Sequence, residues 1–345
     1  MTKINLYLNY MNVAHIYASN AKTNSGDYMI GIAYKQYFKE MILKTNNVKF
    51  TDYDCRQSHL YNKNNINKLN EYDYILVGGG GLILPDSNPN KISAWQWSIS
   101  KTNIEKITKP IYVLSIGYNL FFNQTICMLN RNNSKEDHSI SPIFIDNITT
   151  LINKSVRFTL RHNDDVEKLI GIIGENYRNK ISYEMCKTVW YAEKYMKPKM
   201  DISKKKYIAI EIKDDREWRR YYKIGKSNFY KILLNFVIKC IKEKKPILYL
   251  SHDGSDNFYK YLKKNNIKIP ILLNNTANEP SIINNFSNIH TLYCTAGHSQ
   301  MISYGLGIKM IGLVTHPKVK NFCDDIKYDN FIEVNKDGEM RRLLE

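Results

Sequence analysis

Disulfide chemistry is the first thing this sequence lacks. Its six cysteines (Cys55, Cys127, Cys186, Cys240, Cys294 and Cys323) are far apart and form no Cys-x-x-Cys pair. That excludes a disulfide scaffold and a zinc-ribbon spacing, and it fits a reducing compartment. No apolar run approaches the roughly 20 residues of a membrane-spanning helix, and no basic-then-apolar leader opens the chain. The expectation is a cytoplasmic protein, soluble or peripheral to a membrane. Acidic residues are also short, since 33 Asp and Glu stand against 50 Lys and Arg, a formal charge of +17. Such an excess draws a protein toward nucleic acid, anionic lipid or phosphorylated ligands. The competing explanation is a solvated basic surface, because the lysines are spread along a chain rich throughout in Asn, Lys, Ile and Tyr. The denser runs SKKKY (203–207) and REWRRYYKIGK (216–226) are candidates for a membrane-facing or polyanion-facing patch. Neither has the stacking-plus-basic pattern of an RNA-binding module, so no nucleic-acid partner is expected.

What is present is enough apolar and aromatic residue, 43% and 12% of 345 residues, to argue for a folded chain of two domains. Short apolar runs alternate with longer helical patterns, the sign of parallel sheets covered by helices. KINLYLNY (3–10) reads as the first strand, and Ile30, Ala33, Tyr34 and Phe38 then repeat at helical spacing. YDYILVGGGG (72–81) and PIYVLSIGYN (110–119) are strands running into glycine, and residues 155–174 are a strand, a turn and a helix. Residues 176–205 lose this rhythm and end in a Pro- and Lys-rich stretch read as a linker. A second round follows, with strands at 206–212, 246–252, 289–298 and 308–314. Between the first two lies an amphipathic helix, 227–245, whose Phe229, Ile232, Leu233, Phe236, Val237 and Cys240 share a face. The expected fold is α/β, two Rossmann-like domains facing across a cleft, spanning 1–175 and 206–345. Residues 123–142 interrupt the first domain as an Asn-rich insertion, either a functional lid or a disordered loop.

Four places could carry chemistry, each just past a strand, where doubly wound sheets bind ligands. In Asn24-Ser25-Gly26-Asp27, glycine lets backbone approach a ligand and Asp27 caps the following helix or binds hydroxyls; a plain helix cap is the alternative. Gly78 to Gly81, with Gly79 and Gly80 central, allow close approach to a substrate or simply tight packing, and Gly117 ends the next strand in the same way. No Gly-x-Gly-x-x-Gly with its distal acid is present, so a nicotinamide reading drops. Arg161, beside His162, suits bidentate grip of a carboxylate or phosphate, unless it pairs with Asp164 or Asp165. His298 opens the helix-like Ser299-Gln300-Met301 run, where an imidazole can donate a proton and a helix N-terminus favours negative charge. His252 repeats this argument with Asp256 as orienting partner. The Asp pairs 164–165, 214–215 and 324–325 lack neighbouring ligands, so neither a metal nor a cofactor is expected.

Taken in order, NSGDYMIGIAYKQYF, YDYILVGGGGLIL, VLSIG, RFTLRHNDDVEKL, LYLSHDGSDNF and CTAGHSQMISYGLGIKMIGLVTHPKVKNFCDD resemble the polysaccharide pyruvyltransferase family along the whole chain. The resemblance implies a GT-B-like fold and transfer of pyruvyl from phosphoenolpyruvate to two hydroxyls of a sugar, as a ketal, during surface glycan biosynthesis. It makes His298 the general acid and Arg161 an anion clamp. Asn24, Gly26, Asp27, Gly79, Gly80, Gly117, His252 and Ser299 then line the substrate cleft. The sugar or lipid-linked glycan acceptor lies on the first domain and the donor on the second.

The chain departs from the family pattern in places. Ala296 stands where the family has arginine, His162 follows Arg161 where the family has aspartate, and Asp165 replaces a serine. Lys309, Lys318 and Lys320 are candidate substitutes for the missing cation. Two other readings stand beside this one: a GT-B glycosyltransferase holding a nucleotide-sugar donor on the helix after His298, and a family member that binds glycan without turnover.

Overall fold

The computed structural model describes residues 10–19, 24–63, 65–84, 90–122, 141–275 and 278–345. Its strands form two six-stranded parallel sheets. The first is built from β1 (Met11–Tyr17), β2 (Val48–Asp54), β3 (Tyr74–Gly78), β4 (Ile111–Ile116), β5 (Ser155–Leu160) and β6 (Ile181–Tyr183), in the order β2-β1-β3-β4-β5-β6. The second contains β7 (Tyr207–Glu211), β8 (Ile247–Ser251), β9 (Ile271–Leu273), β10 (Ile289–Cys294), β11 (Lys309–Val314) and β12 (Phe331–Glu333), ordered β12-β11-β10-β7-β8-β9. Helices cover both faces, so central strands are apolar on both sides. Ile75, Leu76 and Val77 of β3 are each fully buried, as a parallel sheet requires. In each sheet the strand order reverses once, between β1 and β3 and between β7 and β10. Crevices at such reversals open at the carboxyl ends of the strands.

The first strand among the described residues begins one residue past the run read as a strand at 3–10. Residues 3–9 fall outside the described residues, and the strand is Met11–Tyr17. Its apolar run is broken by His15, which hides it from a hydrophobicity reading. The ring is nonetheless fully buried, with Nε2 3.0 Å from the Gly78 carbonyl oxygen and the ring stacked on Tyr17. Residues 123–140 of the Asn-rich insertion also lie outside the described residues, while Pro142 opens a helix, Pro142–Lys154.

Residues 176–205 are more structured than their composition suggests. Ile181–Tyr183 pairs with β5, and the helical stretch from Lys187 buries Val189, Tyr191, Ala192 and Met196. These side chains belong to one apolar cluster with Met29, Ile30 and Tyr34 of the Ser25–Tyr37 helix and with Leu248, Cys294 and Met301 of the second half. The two sheets are thus fastened by shared core. No helix among the described residues is long and apolar enough to cross a membrane.

Candidate active site

The two strand-order reversals face one another across a cavity of about 160 Å³. From the first sheet come Ala18 after β1, Arg56 after β2, Gly80 and Gly81 after β3, Asn119 after β4 and Arg161 after β5. The second sheet supplies Lys213, Asp215, Arg216 and Arg220 after β7 and His252 after β8. Ala296, Gly297 and His298 follow β10, and His316 and Lys318 follow β11.

Asn24, not Asp27, caps the Ser25–Tyr37 helix, its Oδ1 accepting from the backbone N–H of Gly26 at 2.9 Å and of Asp27 at 3.3 Å. The sequence reading gave that role to Asp27 as one option. With the cap supplied three residues earlier, the Asp27 carboxyl lines the cavity instead. Gly26 meets His298 from the opposite half, and a methyl group added there would fall 2.4 Å from His298 Nδ1. Gly117 lies beneath Arg161 in the same way, 2.4 Å from added methyl to Nε. Gly80 lines the cavity, while Gly79 turns from it against Ile30 and Tyr34. Ser299 is buried behind the cavity, its Oγ 3.2 Å from His252 Nδ1.

Arg161 pairs with neither Asp164 nor Asp165. Its guanidinium donates to Asn119 Oδ1, Asp165 accepts from the Tyr118 backbone N–H, and Asp164 is held by Lys168 and Asn321. His162 points away from the cavity and meets Asp325 of the other half at 2.8 Å. Asp256 does not orient His252, because it accepts from the Ser251 hydroxyl instead. The imidazole is 3.3 Å from Ser25 Oγ and 3.7 Å from Glu211 Oε1. Of the three lysines weighed as substitutes for the cation missing at Ala296, Lys318 reaches the cavity. Lys309 begins β11 at the far edge, and Lys320 is bound to Asp324. Lys318 also covers the expected place, lying 3.6 Å from a methyl group built on Gly297, next to Ala296.

Six basic side chains line this cavity (Arg56, Arg161, Lys213, Arg216, Arg220 and Lys318) against two carboxyls, Asp27 and Asp215. The basic run at 216–226 therefore splits. Arg220 is fully buried and turned inward, whereas Trp218 is 67% exposed. Arg216 adopts a left-handed backbone, φ 55°, that precedes the turn carrying Arg220. The field has consequences for titration. Burial favours the neutral Asp215 carboxyl, but Arg220, Lys213, Lys318 and Arg216 outweigh it and hold the group well below its usual range. Burial, then Arg161 and Lys318, push His298 well below its ordinary value, and burial followed by Arg220 and Lys213 does the same to Lys318. Burial raises Asp27. His298 Nε2 is buried with no hydrogen-bond partner among the described residues, a cost of roughly 1–3 kcal/mol that a substrate atom would recover. The helix Gly297–Gly305 presents its N-terminus to the same space, with amide groups that have no partner within the helix.

Arg56, Lys213, Arg216, Arg220, Lys318 and His316 are the site residues that sequence reasoning missed or named only in passing. All follow strand ends, the signal that exposed Arg161, but basic residues are too common in this chain for any of them to stand out. Among the described residues, no group of three His, Cys, Asp or Glu side chains is placed to hold a metal ion.

No protein-family model matches the chain, and no curated protein matches it. Solved structures do. A putative UDP-N-acetylglucosamine 2-epimerase from Listeria monocytogenes is 12% identical over 97% of this chain and 87% of its own, with a TM-score of 0.56. MnaA of S. aureus, in a co-structure with UDP, is 12% identical over 97% and 88%, with a TM-score of 0.51. UDP-GlcNAc 2-epimerase from Methanocaldococcus jannaschii is 13% identical over 97% and 92%, also at 0.51. At such identities the likeness is one of fold, and it defines the class: two Rossmann-like domains facing across a cleft, GT-B-like.

Proposed function

We propose that this chain is a glycan-modifying transferase that moves pyruvyl from phosphoenolpyruvate to two hydroxyls of a sugar. The observation that carries the reading is the buried imidazole of His298, whose Nε2 has no hydrogen-bond partner among the described residues, set among six basic side chains in a cavity of about 160 Å³. That volume suits a small, multiply charged anion better than a drug-sized ligand, whose pockets run to roughly 300–1,000 Å³. A donor with a carboxylate and a phosphate needs cations on two sides. Arg161 stands on the wall of the first half, and Lys213, Arg220 and Lys318 stand on the wall of the second.

In this mechanism the bound anion offsets the cationic field, His298 takes up a proton and passes it to the methylene carbon, and C2 becomes electrophilic. A sugar hydroxyl attacks C2 and loses its proton to Asp27. The second hydroxyl then displaces phosphate, its proton leaving with that group, so the products are the cyclic ketal and inorganic phosphate. The clamps contribute by fixing the donor where the proton arrives and charge develops. The acceptor side belongs to residues 1–175 and the donor side to 206–345. A lipid-linked acceptor would bring the protein to a membrane surface.

A second reading is a nucleotide-sugar enzyme. It is favoured by the UDP held in the S. aureus structure of the same fold and by the Gly297–Gly305 helix N-terminus, which suits a diphosphate. Isothermal calorimetry decides between them, with phosphoenolpyruvate, UDP and UDP-sugars titrated into the wild type and His298→Ala. Saturable phosphoenolpyruvate binding, with phosphate release on adding a sugar acceptor that is lost in His298→Ala, supports pyruvyl transfer. A response to UDP compounds alone moves the chain to the second reading.

A further inference from the structure

Beneath the cavity is a buried acid that this mechanism does not use. Glu211 ends β7, the strand at which the order of the second sheet reverses, and stands beside Cys294 of β10. Its side chain is fully buried. Oε2 accepts from the Ala296 backbone N–H at 3.2 Å, while Oε1 has no hydrogen-bond partner among the described residues and lies 3.7 Å from Nδ1 of His252. His252 directly follows the neighbouring strand β8 and lines the cavity, so the ring stands between the carboxyl and any bound ligand. Ser25 and Ser299 hydroxyls approach the same Nδ1 at 3.3 and 3.2 Å, one from each half of the protein.

We infer that Glu211 and His252 are a buried proton-sharing pair, in which Glu211 hands its proton to His252 when a multiply charged anion enters the cavity. The resting pair is neutral. Burial pushes Glu211 up to about 8, so it holds its proton at neutral pH, and burial with Lys213 beside it brings His252 down to about 3. A buried O–H needs an acceptor, and the nearest ring lone pair is that of His252 Nδ1, which places the ring proton on Nε2. Once the two atoms close from 3.7 Å to hydrogen-bond distance, movement of one proton from Oε1 to Nδ1 leaves a carboxylate on the Ala296 N–H and an imidazolium facing the anion. The proton count is unchanged and nothing is drawn from solvent. Lys213, Asp253 and Arg220 face Glu211, while Lys213, Asp253, Lys318 and Asp215 face His252. An entering anion offsets Lys213 and Lys318, the charges that oppose the imidazolium. Glu211 is thus a positioning residue that acts through His252.

The inference rests on the cavity being an anion site, whichever donor it takes. The test is NMR on the full chain labelled with 13C-carboxyl Glu and 15N-His, assigned with Glu211→Gln and His252→Asn, with inorganic pyrophosphate and phosphoenolpyruvate as separate probes. Without either anion, the Glu211 carboxyl is expected in its protonated position at pH 7, and His252 neutral with its proton on Nε2. On saturation at pH 7, His252 should become imidazolium as Glu211 ionises, and in Glu211→Gln it should stay neutral. A Glu211 already ionised without anion overturns the pair, as does a His252 that ignores anion or protonates equally in Glu211→Gln. If phosphoenolpyruvate fails to bind while pyrophosphate gives the paired shifts, the donor reading falls and the pair stands. If neither anion saturates, the anion site itself falls and the proton transfer with it.

Discussion

Gly26 and His298 come from opposite halves of the protein and touch, and a methyl group on Gly26 would fall 2.4 Å from Nδ1 of the imidazole. The glycine in Asn24-Ser25-Gly26-Asp27 therefore serves the histidine at least as much as any ligand. Asn24 holds the first turn of the helix, Gly26 leaves room for the ring, and Asp27 is left to line the cavity. The Gly26→Ala variant must move the imidazole or part the two halves. Overpacking of this kind costs roughly 1–3 kcal/mol. We expect anion affinity to drop at least about tenfold, or ~1.4 kcal/mol, with a modest fall in melting temperature. Calorimetry and thermal melting check this, and unchanged affinity would show that the contact does not position His298.

Strands that carry a run of apolar residues are legible in the sequence, which is why β3, β4, β7, β8, β10 and β11 are where the pattern puts them. Three-residue strands such as β6, β9 and β12 are too short to show any period, and half-exposed β2, with Lys49, Asp52 and Asp54, does not read as apolar. The same logic divides the site. Arg161 and His252 directly follow strands, His298 comes four residues after β10, and all three could be read from position alone. Arg220 and Lys318 lie further into the following segments, in a chain of 50 basic residues, and only the folded structure separates them from the surface. Glu211 is hidden inside what reads as a strand. His162 illustrates a different limit, because its partner, Asp325, is 163 residues away.

That partnership yields a second prediction. Asp325 accepts from His162 Nδ1–H at 2.8 Å, from the Asn163 side chain at 2.9 Å and from the Asn163 backbone N–H at 3.2 Å, so one carboxylate ties the end of the Pro317–Asp325 helix to the residues following Arg161. The His162 side chain is fully buried and that of Asp325 is 5% exposed. Asp325→Asn should cost about 1–3 kcal/mol in urea unfolding. A double-mutant cycle with His162→Gln should return a coupling of roughly 0.5–3 kcal/mol. Additive effects of the two substitutions would mean that the clasp contributes nothing across the halves.

Buried histidine makes stability depend on pH in a definite direction. Burial brings His15 down to about 4 from an ordinary 6.5, against the opposing effect of the Gly78 carbonyl. A histidine with a lowered folded value binds fewer protons folded than unfolded. Its contribution is therefore complete above pH 6.5 and lost as the pH falls from there through about 4. For a fully buried ring the loss is on the order of 3 kcal/mol. Other buried histidines add the same slope, so the comparison must be with His15→Gln, which keeps a donor for the Gly78 carbonyl. Between pH 7.5 and 4, wild type should lose about 3 kcal/mol more than the variant in urea unfolding. Parallel curves would show that His15 is charged, or free to become so, in the folded chain.

The substitution at Ala296 offers the sharpest test of the proposed donor. The resemblance to the pyruvyltransferases puts an arginine there, and this chain has instead laid Lys318 across the adjacent Gly297, with its side chain in the cavity wall. One basic group has replaced the other only if the two are interchangeable in function. Removing Lys318 as Lys318→Met keeps the volume of the stem and deletes the charge. Phosphoenolpyruvate affinity should then weaken at least about tenfold, or ~1.4 kcal/mol. Adding Ala296→Arg to that variant should restore most of the loss, because a guanidinium from position 296 can enter the space the ammonium vacated. In the wild type, Ala296→Arg alone should gain nothing, since Lys318 already fills the place and Ala296 is 2% exposed. Titrations of the four proteins decide the matter. A Lys318→Met variant that binds normally, or a double variant that stays weak, would show that the anion is held by Arg161, Lys213 and Arg220 without help from this position.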